Sequence, residues 1–308
     1  MKRSLKDYAV ISLKGMAMGA ADVVPGVSGG TIAFISGIYE ELLTTISSVN
    51  LSALKTLKSE GLKATWKQIN GNFLLALLLG IAISVISLAK GISYLLAAHP
   101  ILVWSFFFGL VLASILYVGK QITKWRVQEV AILLLTAILA YSITIVKPMV
   151  VGDDASLLFL FLSGALAICA MILPGISGAF ILVLLGAYET ILNAVHARDL
   201  QTIAVVGLGT IFGLLCFSRV LKWLFNNYKN ITLAGLTGFI LGSLNKIWPW
   251  KETLTTRVNS KGITVPVLQN SILPSNYQGD AQLILAIILA VVGFSLLIGL
   301  EKIASNKS

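Results

Sequence analysis

Along most of the chain the apolar positions run on without the alternation of a half-buried strand or the one-sided period of a surface helix. The longest runs are Phe73 to Ala97, Ile101 to Val118, Val130 to Val146, Ile203 to Phe217, Ile231 to Ile247 and Leu283 to Leu300. Their lengths approach the roughly 20 residues that a helix needs to cross a bilayer. Hydrocarbon offers no partner for a backbone N–H or C=O, so each run predicts a transmembrane helix. Two further apolar stretches are broken: "DVVPGVSGGTIAFISGIYEELL" from Asp22 and "MILPGISGAFILVLLGAYETIL" from Met171.

The two broken stretches are copies. The displacement that lays Pro25 on Pro174 also matches Gly15 with Gly164, Gly26 with Gly175, Ser28 with Ser177 and Gly29 with Gly178. It continues through Gly37 with Gly186, Tyr39 with Tyr188 and Glu40 with Glu189. A weaker echo joins "FGLVLAS" at Phe108 to "GFILGS" at Gly238. Each half therefore reads as one broken segment followed by three spans. If each broken segment dips into the membrane and returns, the copies enter from opposite faces, which is inverted topology. If each crosses once, the linker carrying Lys55, Lys58, Lys63 and Lys67 falls outside.

Charge favours the re-entrant form. With it, Lys2, Arg3, Lys6, the linker lysines, Lys120, Lys124, Arg126, Arg219, Lys222, Lys229, Lys302 and Lys307 share the cytoplasmic face. The other face holds Lys147 beside Asp153 and Asp154, Arg198 beside Asp199, and the long loop after Trp248. The expected fold is an all-α integral membrane protein, one membrane domain over 1–308. Repeat 1 covers 9–146, with a re-entrant hairpin at 9–47, an amphipathic linker at 48–71 and three spans. Repeat 2 covers 157–301, with a re-entrant hairpin at 157–195, three spans and an extracytoplasmic loop at 249–281. Both termini are expected in the cytoplasm. Within the long loop, "NSKG" reads as a hairpin turn.

Composition sharpens this picture. Of 308 residues, 57% are hydrophobic and only 12% charged, against about 25% in a soluble domain. The net charge of +10 lies between apolar segments, so topology explains it and nucleic acid does not. The basic start could pass for a signal peptide, but Lys14 interrupts its apolar core and the segment recurs as an internal copy. Cys169 and Cys216 lie inside apolar runs, and no disulfide framework, metal site or cofactor motif follows. Tryptophans 66, 104, 125, 223, 248 and 250 fall near span ends, where they anchor at the interface.

Pro25 and Gly26 must break the first helix, and Pro174 and Gly175 the second. A helix restarting near Ser28 to Thr31 presents free N–H groups to an anion, with Ser28 or Thr31 as cap and Gly29 and Gly30 allowing close approach. Ser177 and Gly178 offer the same in the second copy, where Ala179 and Phe180 replace Gly30 and Thr31 and make the cap poorer. Paired broken helices place substrate near the midplane of a membrane. Lys14 and Arg219 are the cations placed to balance an anion. Glu40 and Glu189 suit either proton or cation coupling or interfacial solvation. Asp22 faces Met171 across the repeat, so any coupling role for it is asymmetric. Gly15 and Gly19 in "GMAMG" read as close helix packing.

"KGMAMGAADVVPGVSGGTIAFISGIYEELL" together with "ILPGISGAFILVLLGAYETIL" resembles the PopT-type polyprenyl-phosphate transporter family, formerly a domain of unknown function, over nearly the whole chain. The resemblance implies a bacterial cytoplasmic membrane translocase that returns undecaprenyl phosphate, the lipid carrier of envelope polymers, to the inner leaflet. Two other classes compete. Undecaprenyl pyrophosphate phosphatases also carry inverted repeats, but their motif has an arginine where this chain has Gly29. Neither motif has a histidine or paired glutamates beside it for phosphoryl transfer. A channel or exchanger for small inorganic anions could use the same helix ends. No Walker A loop is present to bind ATP. A homo-oligomer is open.

Overall fold

The computed structural model describes residues 3–23, 28–146, 155–258 and 264–305. Pro25 and Gly26, the charges Lys2, Lys147, Asp153, Asp154 and Lys307, and the NSKG turn lie outside them. The first half comprises α1 (Leu5–Val23), α2 (Gly29–Ile35), α3 (Tyr39–Ser48), α4 (Leu51–Gln68), α5 (Gly71–Ala98), α6 (Pro100–Gln121) and α7 (Val127–Ile145). The second comprises α8 (Leu157–Ile172), α9 (Gly178–Leu184), α10 (Tyr188–Ala197), α11 (Leu200–Asn227), α12 (Lys229–Ser243) and α13 (Leu283–Ser305). Between α12 and α13 a 3-10 turn, Leu244–Ile247, leads into an antiparallel hairpin of β1 (Lys251–Val258) and β2 (Thr264–Ser271). These strands flank the turn expected at NSKG.

Four helices, α5, α6, α7 and α11, are long and apolar enough to cross a membrane, and α9 with α10 makes a fifth if that bent pair is one span. Leu134, Leu135 and Ile138 on α7 are more than half exposed, which hydrocarbon tolerates and water does not. The protein is a mostly helical, multi-pass membrane protein. The expected span at Ile231 to Ile247 is a 15-residue helix extended by the 3-10 turn. Most of its side chains, from Thr232 to Ser243, are buried in protein, so α12 forms the centre of the molecule and meets little lipid.

Helix pairing runs alike in the two halves. The helix before each motif packs on the first long helix after it, α1 on α5 and α8 on α11. The remaining helices pair crosswise, α6 with α13 and α12 with α7, and α6 touches α12. Glycines permit these contacts. A Cβ on Gly19 would lie 2.8 Å from the Ile81 carbonyl oxygen, and one on Gly213 would lie 2.5 Å from that of Ala165. Gly37 (φ 73°) and Gly186 (φ 72°) turn the chain at matching points, after α2 and after α9. In the second half the resulting bend between α9 and α10 is 107°.

The linker forms α4, capped by the Asn50 side chain on the Ser52 and Ala53 N–H groups and kinked at Gly61 (φ 83°). Leu51, Leu54, Leu57 and Leu62 are exposed along it among lysines, the pattern of a helix lying on a membrane surface.

Candidate functional site at the paired Pro-Gly motifs

The first motif turns the chain back onto α1. Asp22 Oδ1 accepts the Gly29 N–H at 2.7 Å, and Lys14 Nζ donates to the Ser36 carbonyl at 2.6 Å, so the two charges bracket α2 end to end. Each has the sign that complements the helix dipole, an effect of about 0.3–1 kcal/mol at an exposed end and up to about 2 where partly buried. Ser28 caps the same helix: its Oγ accepts the Gly30 N–H at 3.1 Å and donates to the Met171 carbonyl at 3.1 Å. The first N–H groups of α2 are thus already occupied by this chain's own oxygens.

The two motifs meet. Thr31 Oγ1 accepts the Gly175 N–H at 2.8 Å, and the buried Tyr39 hydroxyl donates to the Ile172 carbonyl at 3.1 Å. Ser28 and Thr31 are almost wholly buried in this junction. Gly175 has φ 91°, and a Cβ there would sit 2.6 Å from Ser243 Oγ, so both conformation and space require glycine. A Cβ on Gly29 would fall 2.5 Å from the Asp22 carboxylate, and one on Gly30 would fall 2.7 Å from the Ile172 carbonyl.

The second motif is built differently. Ser177 is the N-cap residue of α9, with extended backbone, but its side chain makes no capping hydrogen bond. Met171, at the place of Asp22, supplies no carboxylate. Ser177 instead lines a cleft with Gly175, Phe180, Thr144, Ser243 and Lys246. Lys246 Nζ lies 4.1 Å from the centre of the Phe180 ring, and Lys251 Nζ lies 4.6 Å from that of Trp104 and donates to the Lys246 carbonyl. Burial, followed by the charge of Lys246, pushes the Lys251 ammonium down to about 7. Among the described residues no carboxylate pairs with either lysine. Sequence reasoning missed both; the signal was two lysines flanking Trp248 and Trp250.

Other expected site residues lie elsewhere. Arg219, exposed on α11, donates to the Val49 carbonyl at 3.0 Å and so caps α3, while Lys14 caps α2; neither side chain bonds to the motif serines. Glu40 forms an ion pair with Lys229 at 2.8 Å, with both side chains more than half exposed. Glu189 holds the matching place at the start of α10. The neighbouring Glu41 is paired with Arg3 at 2.6 Å and accepts from Asn70. A cavity of about 250 Å³ between Glu40, Glu41, Thr45, Gln68 and Asn70 is lined by both carboxylates and by no basic side chain, which suits it poorly to a phosphate. Pro174 and Gly175 are both buried, and Pro25 and Gly26 lie outside the described residues. Among the described residues no group of His, Cys, Asp and Glu could hold a metal ion.

A polyprenyl-phosphate transporter of Vibrio cholerae is 49% identical over 304 residues, covering 97% of this chain and 98% of that protein. One of Staphylococcus aureus is 30% identical over 258 residues, covering 78% of this chain and 86% of its own. No solved structure matches. The model of the undecaprenyl phosphate translocase-like family matches residues 18–265, and the chain belongs to that family.

Proposed function

We propose that the protein moves a polyprenyl phosphate, undecaprenyl phosphate in bacteria, from the outer to the inner leaflet of the cytoplasmic membrane. The observation that carries this reading is near-full-length identity of 49% to a polyprenyl-phosphate transporter, joined to a core in which two copies of one broken-helix motif hydrogen-bond to each other. Its relatives are named for transport and not for catalysis, in keeping with motifs that have no histidine or paired glutamates beside them.

In this reading the halves are inverted repeats, each with a re-entrant hairpin. The crosswise pairing of α6 with α13 and of α12 with α7 supports a two-fold relation between the halves, because an axis between α6 and α12 would exchange those pairs. Both termini face the cytoplasm and the β-hairpin faces outward. Phosphate at membrane depth must be met by preformed dipoles and cations, since bare transfer into hydrocarbon is prohibitive. Ser28, Gly29, Gly30 and Thr31 build the floor of the site, and Ser177 and Gly178 contribute the uncommitted groups. The halves rock about the junction to expose the headgroup to either leaflet, with proton or cation coupling through Glu40, Glu189 and Asp22. Gln substitutions at Glu40 and Glu189 then abolish the response of transport to a pH gradient; an unchanged response assigns them to interfacial anchoring.

The test is ligand competition on purified protein by native mass spectrometry. Polyprenyl phosphate is expected to be retained, with polyprenyl alcohol failing to displace it and inorganic phosphate displacing it only weakly. Equal displacement by inorganic phosphate would favour a small-anion channel or exchanger.

A further inference from the structure

Resting on the transporter reading, we infer that Lys246 and Lys251 form the headgroup-receiving site on the hairpin-bearing face, taking a phosphate monoester and delivering it to Ser177.

Three observations carry this. First, the two ammonium groups approach the same end of the molecule without a carboxylate partner among the described residues, each set against an aromatic face, Phe180 or Trp104. Two partly buried like charges close together are unfavourable unless one gives up its proton or an anion joins them. Second, Lys246 shares its cleft with the Ser177 hydroxyl, which makes no capping bond, while the Thr144 and Ser243 hydroxyls there donate to the Tyr141 and Ile240 carbonyls, so a cation and an uncommitted donor share one space. Third, the repeat is asymmetric at the residues concerned. Thr31 binds the Gly175 N–H, whereas Phe180, in the matching position, carries the Lys246 ammonium on its ring.

The cleft has a volume of about 10 Å³, room for a water and not for a phosphate. Headgroup entry therefore parts α9 from the ends of α7 and α12. A charge-assisted hydrogen bond to phosphate is stronger than a cation–π contact at a partly wet site, so the ligand draws Lys246 off Phe180 as it enters. The hairpin fixes the geometry from above: Asn245 bonds to Thr144 at 2.7 Å and accepts from Ser271 at 2.7 Å, and the Trp248 indole donates to the Ile272 carbonyl at 2.8 Å.

Two measurements test the inference together. In the wild-type protein in nanodiscs, polyprenyl phosphate should protect Lys246 and Lys251 from an amine-reactive reagent, read by peptide mass spectrometry, and polyprenyl alcohol should not. Lys246→Gln and Lys251→Gln should each weaken binding of polyprenyl phosphate about tenfold to a hundredfold, the loss of one charge-assisted hydrogen bond, with Lys246→Arg restoring much of it. Wild-type protein that binds the lipid phosphate with both lysines still reactive would overturn the inference and leave the transporter reading standing. Protection by inorganic phosphate alone, with no binding of the lipid, would keep the anion site and overturn the transporter reading.

Discussion

Ser28 and Ser177 stand at matching places, yet their side chains do different work, and this sets the expected effects of substitution. Ser28→Ala removes a cap and a bond to the Met171 carbonyl, so it should lower stability by about 1–2 kcal/mol, read as thermal unfolding in detergent. Ser177 makes no capping bond, so Ser177→Ala should leave stability within about 0.5 kcal/mol and act on lipid-phosphate affinity. Lys251 supplies a pH signature. Its ammonium is pushed down to about 7 from an ordinary value near 10.4, so the cost of its charge is fully present below pH 7 and fades as pH rises toward the unfolded value. Relative to Lys251→Met, the ligand-free wild type should therefore gain melting temperature between pH 7 and 9; parallel profiles would contradict the burial argument. What the sequence made legible here was the motif pair, because repetition exposes it. Asp22 as the cap of α2, and Lys14 and Arg219 as helix caps, were not legible. Which group fills a helix end depends on how the chain folds back, and periodicity does not record that.

The helices pack through small residues, as membrane helices must where burial of apolar side chains gives no advantage over lipid. Gly19 of α1 leaves 2.8 Å between a would-be Cβ and the Ile81 carbonyl, and Gly80 of α5 closes on Ser12 of α1 in the same way. Gly80→Val should cost about 1–3 kcal/mol or more by overpacking, whereas Gly91→Ala, with open space around it, should be neutral or stabilising by up to about 1 kcal/mol. A Gly80 variant as stable as the Gly91 variant would refute the α1–α5 contact. Close packing at Gly15 and Gly19 was readable from their spacing. The burial of most of α12 was not, because an apolar run looks the same whether protein or lipid surrounds it. The hairpin β1–β2 announced itself only through a turn signal.

At the scale of the whole molecule, the transporter reading requires that the linker helix and the hairpin lie on opposite faces. With Cys169 and Cys216 replaced, a cysteine at Ser59 should resist an impermeant reagent added outside while one at Thr256 reacts. Labelling of both from outside would remove the inverted arrangement. The central claim, that this chain carries a lipid phosphate across the bilayer, is tested most directly by leaflet exchange. Purified protein is reconstituted in liposomes holding a labelled polyprenyl phosphate, and loss of label from the outer leaflet is followed beside uptake of sulfate and phosphate. The account predicts rapid exchange of the lipid in protein-containing vesicles, slowed at least tenfold by Lys246→Gln at limiting lipid, with no inorganic anion uptake. Exchange no faster than in protein-free liposomes, with sulfate or phosphate entering instead, would contradict it.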